Sequence, residues 1–500
     1  MALPGTILTL LALFGLFEPG QSKTYIREYT YKAGEADSKL TAQKIALGQV
    51  RRLLLEEVGV YLESTLSIEQ RESGGELADL TKRQVTSITA GITETRILDE
   101  RWNGAEYYIK ASITVDPEDV KEKLLRVSRD VSKVRDLEQA NMRADSAMRE
   151  IERLRQELGA SHNENERLRL RVEYEKSSDA LGAADWYQKG YAAVLSGDYT
   201  GAIVAFRKGL DLDPGSVELH HNIGAAYAGK GDFTTALSYF QRAAALNPSF
   251  VPSLQAAGYA CVQKRDYRSA IQWYDRVVVL APGDAPSYYW IGYSYNELGE
   301  FQVAAQALSQ ALAFQPDYPE ALFSLAWGAQ RQGDHYGALR HLEQAIAYRP
   351  TYAEAYHAMG GSYLALGDFG RAAEYEERAV QYQPDNPTFL FAAGTAHQMR
   401  QDFPRAIELF QRAVALKPDF ADAYGNLGLA LGQAGRYTES LDALKRAITL
   451  NPKNGVFHFN LGVTHENSGN RNDAIKSYRT AARLGNREAE DALKRLGVRK

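Results

Sequence analysis

At 500 residues the chain is too long for one compact core, so its apolar surface must be divided among several. A net charge of -5 without a basic run argues against nucleic acid as a partner. The single cysteine, Cys261, excludes an internal disulfide and reads as a small core residue, in a composition that suits a folded, mostly helical protein.

The first residues, "MALPGTILTLLALFGLFEPGQS", carry an apolar run from Ile7 to Phe17, then Pro19-Gly20 and the small Ser22. The run is too short to span a bilayer comfortably, and the segment 1–22 resembles a cleavable secretory signal. That resemblance implies a secreted or periplasmic bacterial protein with no stable membrane span after cleavage. No Lys or Arg precedes the run, so a buried N-terminal helix or an uncleaved anchor is the alternative. No cysteine follows it, which argues against a lipid anchor at this end.

Residues 23–120 read as a small α+β domain. "TYIREYTYKAG" alternates as a strand does, and "DSKLTAQKIALGQVRRLLLEEVGVYLES" has helical periodicity through Ala46, Val50, Leu53 and Leu54. A second helix is expected over about Leu77 to Ala90. Asn103-Gly104 lies between "ITETRILDERW" and "AEYYIKASITV", and Asn-Gly between alternating segments is a hairpin signal. Asp116-Pro117-Glu118 then opens another helix, as an N-cap followed by proline does. The strand, the "SKLTAQKIAL" helix and the hairpin resemble, diffusely, N-terminal modules of bacterial envelope proteins, including a flagellar assembly factor. No site is carried over from that likeness.

From Lys121 to about residue 180 the chain is charged and helical. Val134, Leu137, Ala144, Met148 and Ile151 follow three-four spacing with Asn141 in the seam, and the spacing resumes at Leu154, Leu158, Leu168 and Val172. This is a candidate short coiled coil, interrupted at Gly159. A self-associating homodimer through residues 121–178 and a helix exposed or folded back on the C-terminal part of the chain are both compatible with so thin a core.

Beyond Ala183 the sequence repeats. Proline returns every 34 residues, at 214, 248, 282, 316, 350, 384, 418 and 452. Small residues keep the same period at Gly190, Gly224, Gly258, Gly292, Ala326, Gly360, Gly394, Gly428 and Gly462, and again from Ala202 through Ser440 to Ala474. A third series from Gly209 to Ala481 lies seven residues after the second, on the same helix face. Aromatic residues such as Phe206, Phe240, Tyr274 and Phe410 fill the space one turn after the alanine. "GDYTGA", "GDFTTA", "GEFQVA" and "GDFGRA" mark the turn between two helices, where glycine tolerates the left-handed conformation.

At these residues the chain resembles the tetratricopeptide repeat family, in nine units over residues 183–486. The resemblance implies a mainly α fold: a right-handed α-solenoid of helix pairs, preceded by the small α+β domain and the helical linker. Residues 487–500, "REAEDALKRLG" among them, suit a capping helix on the last unit.

Chemistry-bearing motifs are nearly lacking, and the chain reads as a non-enzyme without cofactor or metal. "GAAYAGKG" has Gly224, Gly229 and Lys230 at part of a phosphate-loop spacing, but Gly231 stands where Ser or Thr must be and the stretch lies in a repeat helix. His220 and His221 are adjacent, and His397 and His465 fall on a core offset, so neither pair has metal-ligand spacing. Glu56-Glu57 and Glu376-Glu377 read as solvated faces of charged helices.

The family likeness also says which surface binds. The first helix of each unit lines the concave face, with the residues three before and one after the core glycine pointing into it. Those offsets hold Tyr187, Tyr191, Tyr259, Tyr289, Tyr293, Phe323, Trp327, Phe391 and Phe459. The family's clamp for a chain-terminal carboxylate, Lys and Asn at these offsets, is absent from every unit. An aromatic groove suits a protein or peptide partner, making the chain a secreted scaffold in envelope assembly. The alternatives are a glycan ligand stacked on ring faces, in a glycan-binding protein or accessory subunit of an envelope-polymer enzyme, and rings that simply pack on the next unit or are covered by the helix of residues 121–178.

Overall fold

The structure of the protein is a computed structural model that describes residues 22–34, 36–73, 89–90, 93, 95–116, 119–120, 122 and 131–498. Among these, the residues up to Lys264 form one compact unit and those from Arg265 a second. The expected signal segment, up to residue 21, lies outside the described residues, as does most of the helix expected over 77–90.

The first unit begins with three antiparallel strands, β1 (Lys23–Lys32), β2 (Thr95–Trp102) and β3 (Glu106–Val115), in the order β1-β3-β2. The Asn-Gly pair makes the β2–β3 turn: Asn103 Oδ1 accepts from the amides of Ala105 at 3.0 Å and Glu106 at 2.6 Å, and Gly104 has φ 95°. Along β3 the residues Tyr107, Ile109, Ala111, Ile113 and Val115 alternate into the core. Helix α1 (Lys39–Ser73) packs on that face through Ala42, Ile45, Ala46, Val50, Leu54 and Val58.

Helices α2 (Val131–Ala160) and α3 (Glu164–Leu195) form an antiparallel hairpin within the chain. Asn163 caps α3, its Oδ1 accepting from Asn165 N at 3.0 Å. Leu137, Met148, Ile151 and Leu154 of α2 join the core of α1 and the sheet, so the candidate coiled-coil helix is folded back on its own chain. The expected continuation of the seam differs. Leu168 and Val172 are 66% and 57% exposed, while Leu170, Tyr174 and Leu181 are buried instead. The turn at 161–163 resets the helical phase, and the three-four spacing of α3 could have been met by either face. Tyr31, Tyr174 and Asp37 close this packing: both hydroxyls donate to Asp37, at 3.0 and 2.5 Å.

α3 runs without a break into the first helix of the first repeat, across the expected boundary near residue 180. From there each repeat is two helices joined by a tight turn. The left-handed turn position holds a glycine in most units (Gly197, Gly231, Gly299, Gly333, Gly367, Gly435 and Gly469), and Arg265 (φ 59°) and Gln401 (φ 65°) occupy it in the other two. The next residue caps the second helix wherever it is Asp; Asp198 Oδ1, for example, accepts from Gly201 N at 2.8 Å.

The small-residue series mark where the helices meet. The series running from Ala202 to Ala474, Ser440 included, is 0% exposed at every member. Ser440 meets its polar demand by donating to Gly428 O at 2.6 Å. A Cβ on Gly190 would come within 2.5 Å of the Phe206 ring, which is why only a small residue fits opposite the large one. At the end of the chain, helix Arg487–Arg495 lays Ala489, Ala492 and Leu493 over Ala474, Tyr478 and Ala481.

Candidate partner-binding surface

In the second unit the first helices of successive repeats are Ala285–Glu297, Pro319–Arg331, Ala353–Ala365, Pro387–Met399, Ala421–Gln433 and Gly455–Asn467, and neighbours among them lie side by side. Side-chain amides tie some of these neighbours together. Asn296 Nδ2 donates to Ser324 O at 2.8 Å, and Gln330 Nε2 donates to Ala358 O and Ser362 Oγ, both at 2.7 Å.

On this face Tyr289, Tyr293, Phe323, Trp327, Phe391 and Phe459 are all half-buried. Their contacts follow two rules. A ring three before the core glycine meets the last residue of its own repeat: Tyr289 with Tyr318 (5.2 Å between centroids), Phe323 with Tyr352 (5.4 Å), Phe391 with Phe420 (5.0 Å). A ring one after that glycine meets the first residue of the preceding repeat's second helix: Tyr293 with Tyr267 (6.4 Å) and Trp327 with Phe301 (6.1 Å). These partner aromatics recur at fixed offsets too, so the period itself carries the signal for them. Phe459 belongs more to the terminal core, tilted 5.7 Å from Tyr478.

Polar groups frame the rings. Glu320 accepts from Arg349 at 2.6 Å, and that guanidinium lies 4.8 Å over Tyr352. Arg331 sits 5.7 Å over Trp327. Burial, with the charge of Glu297 beside it, pushes the Tyr293 hydroxyl up to about 12, and burial likewise raises Tyr289, Tyr318 and Tyr352. The surface therefore offers neutral hydroxyl donors on ring edges between fixed carboxylates and guanidiniums.

In the first unit the expected site divides. Tyr259 is 41% exposed, edge-on to Phe233 at 6.4 Å, and follows the second contact rule. Tyr187 and Tyr191 are 6% and 4% exposed and cannot receive a partner. They stack on each other at 6.4 Å in one core with Leu137 and Met148 of α2, and Asn222 Nδ2 donates to the Tyr187 hydroxyl at 3.2 Å. Helix α2 covers the face the first repeat would otherwise present.

Two further expectations are corrected. Glu376 is not on a solvated face but fully buried, and Glu377 lies in a partly buried network with His397 at 3.1 Å and Arg405 at 2.7 Å. Hydrogen bonds from His397 and Arg405 hold the Glu377 carboxyl down at about 2. Cys261 is buried as a core residue. Among the described residues no helix is long and apolar enough to cross a membrane, and no three His, Cys, Asp or Glu side chains converge as metal ligands would.

Family models described as tetratricopeptide repeat match residues 190–231, 221–285, 285–318, 329–390, 391–455 and 457–484. No curated protein matches the chain. Among solved structures, YrrB, described as a repeat protein with an unusual peptide-binding site, is 22% identical over 38% of this chain and 99% of its own, with a TM-score of 0.35. MamA is 26% identical over 34% of this chain and 92% of its own (TM-score 0.32). A tetratricopeptide repeat protein from Parabacteroides merdae is 17% identical over 50% of this chain and 99% of its own (TM-score 0.42).

Proposed function

Because this chain belongs to the tetratricopeptide repeat family and is thus a protein–protein interaction scaffold, we propose that its first-helix face in residues 265–500 holds an extended partner polypeptide. The observation that carries this reading is the run of half-buried ring pairs built on Tyr289, Tyr293, Phe323 and Trp327. Such rings bury a partner's apolar side chains at small entropic cost, while the tyrosine hydroxyls suit its peptide groups. The carboxylates of Glu297 and Glu354 add a preference for basic residues between the apolar ones.

An array of unstructured synthetic peptides, mixed in apolar and basic content, tests this. Tyr289→Ala with Trp327→Ala should remove the selected peptides, since central aromatic anchors contribute roughly 2 kcal/mol or more each on truncation. Helical content should stay unchanged, and stability should fall by about 2–4 kcal/mol for the four lost ring contacts. Undiminished peptide binding by the folded double variant would place the binding surface elsewhere.

In the same reading the scaffold acts outside the cytoplasm, in the bacterial envelope, and the apolar run from Ile7 to Phe17 directs its export. Mature protein recovered from its host should then begin near Lys23 on N-terminal sequencing. Intact Met1 in a soluble cytoplasmic fraction would refute export.

A further inference from the structure

One repeat breaks the core rule. The slot facing the small core residue holds Phe206, Phe240, Tyr274, Leu308, Leu342, Phe410, Leu444 and Tyr478 in eight units, and in the sixth repeat it holds Glu376. Glu376 is 0% exposed, and a Cβ on Gly360 would lie 2.5 Å from its Oε1, so the carboxylate stands where the others place a ring or a leucine. A buried carboxylate is strongly disfavoured without a partner. The partner is His357, whose Nδ1 lies 2.9 and 3.1 Å from the two carboxylate oxygens.

His357 is itself at a binding offset, three before Gly360, where the neighbouring units carry Phe323 and Phe391. Its side chain keeps 36% of its exposure. With Nδ1 engaged by Glu376, Nε2 is the ring nitrogen left to meet a ligand. Glu354 on its own helix and Glu376 on helix Phe369–Tyr382 are the charged groups that act on it, and helix Pro387–Met399 faces it with the ring of Phe389 at 5.0 Å.

His221 occupies the same offset in an earlier repeat and gives an internal contrast. There the core slot holds Phe240, the imidazole lies between Phe240 and Phe250 at 5.5 and 5.6 Å, and burial drives it down to about 4. At His357 burial also opposes the charge, but the hydrogen bond and charge of Glu376 outweigh it and raise the imidazole above its ordinary value. Burial raises Glu376 as well, against the pull of His357. Both groups therefore hold protons more firmly than in water.

We infer that His357, backed by Glu376, is a specificity-determining contact of this face: an imidazolium whose Nε2–H donates to a backbone carbonyl of the bound polypeptide and whose deprotonation loosens it. Glu354 and Glu376 leave the surroundings negative, which disfavours a carboxylate as the acceptor and favours a neutral carbonyl. The inference rests on the polypeptide-binding reading above.

Two measurements on the full chain test it. In a histidine-labelled NMR titration assigned with His357→Gln, His357 should titrate above an ordinary histidine, and at or below one in Glu376→Leu. Leucine already fills this slot at Leu308, Leu342 and Leu444, so that variant should fold. Peptides selected on the array should bind the wild type about tenfold more weakly at about pH 9 than at about pH 6, the effect of one charge-assisted hydrogen bond. His357→Phe with Glu376→Leu, which restores the neighbours' pattern, should bind equally at both. A His357 that titrates at or below the ordinary value, or wild-type binding indifferent to pH, overturns this inference alone if Tyr289→Ala with Trp327→Ala still abolishes binding. An array that yields no bound peptide overturns the polypeptide reading and this inference with it.

Discussion

Asp185→Ala is expected to lower the stability of the unit formed by residues up to Lys264 by about 2–3 kcal/mol, below the roughly 3–5 kcal/mol of a fully buried pair because the Asp185 side chain keeps 21% of its exposure. Asp185 lies on α3 between Arg51 of α1, which donates to its Oδ1, and Lys189, 3.1 Å from its Oδ2. The Arg51 side chain is only 9% exposed, and its other bond runs from Nη2 to Ala90 O at 3.1 Å. Without Asp185 the guanidinium would remain buried with most of its charge unanswered. Burial alone would raise the Asp185 carboxyl, but Arg51 and Lys189 outweigh it and the net shift is downward. A depressed carboxyl contributes stability above its unfolded value near 3.8, and that contribution is lost as pH falls through the folded value. Calorimetry should show an acid-side destabilisation of the wild type that is flattened in Asp185→Ala. Asp185→Leu with Arg51→Met should recover most of the loss, because two matched apolar groups leave no buried charge. A single-variant transition displaced by less than about 1 kcal/mol would refute the assignment, since that is the scale of an exposed pair.

Deleting residues 486–500 should expose the far end of the repeat array and unfold its last helix pair. Asn486 caps the final helix by accepting from Ala489 N at 2.8 Å, and the helix buries Leu493 to 5% exposure over Tyr478. Arg495 also holds Glu466 at 2.7 Å, the carboxylate that receives the Tyr478 hydroxyl at 2.7 Å. Uncovering Leu493's partners removes roughly 2–3 kcal/mol of local burial. Because a terminal repeat has only one neighbour, that loss falls on helices Gly455–Asn467 and Arg471–Arg483 rather than being shared. Hydrogen exchange should accelerate across those two helices, and light scattering should report association through the bared face. Unchanged exchange and a monodisperse monomer would show that the last repeat needs no cover.

The repeat architecture is legible in the amino-acid sequence because it is local and redundant. A proline, a glycine and an alanine at fixed offsets specify each helix pair, and each pair packs on its sequence neighbours, so nine weak signals reinforce one another. The β2–β3 hairpin is legible for the same reason, since Asn103-Gly104 encodes its own turn. The period cannot supply the identity of whatever packs from a distance. It places Tyr187 and Tyr191 on a binding face because every first helix has one, but α2 covers that face in the first repeat. It makes Leu168 and Val172 a seam because both stripes of α3 have helical spacing, and only docking against α2 and the Tyr31–Asp37 segment selects Leu170 and Tyr174.

Glu376 lies between these cases. Its offset is written in the sequence, 34 residues after Leu342 and 34 before Phe410, and its burial could have been read from the period. Its partner could not be read so directly, because His357 lies on another helix and only the packing of the pair brings Nδ1 to within 2.9 Å of the carboxylate. The order of residues was enough to define the helix pairs, their turns and their cores, since those depend on contacts a few residues or one repeat apart. Which rings stay accessible, and which charges are paired in the interior, was settled by tertiary packing, because desolvation depends on every element that closes over a side chain.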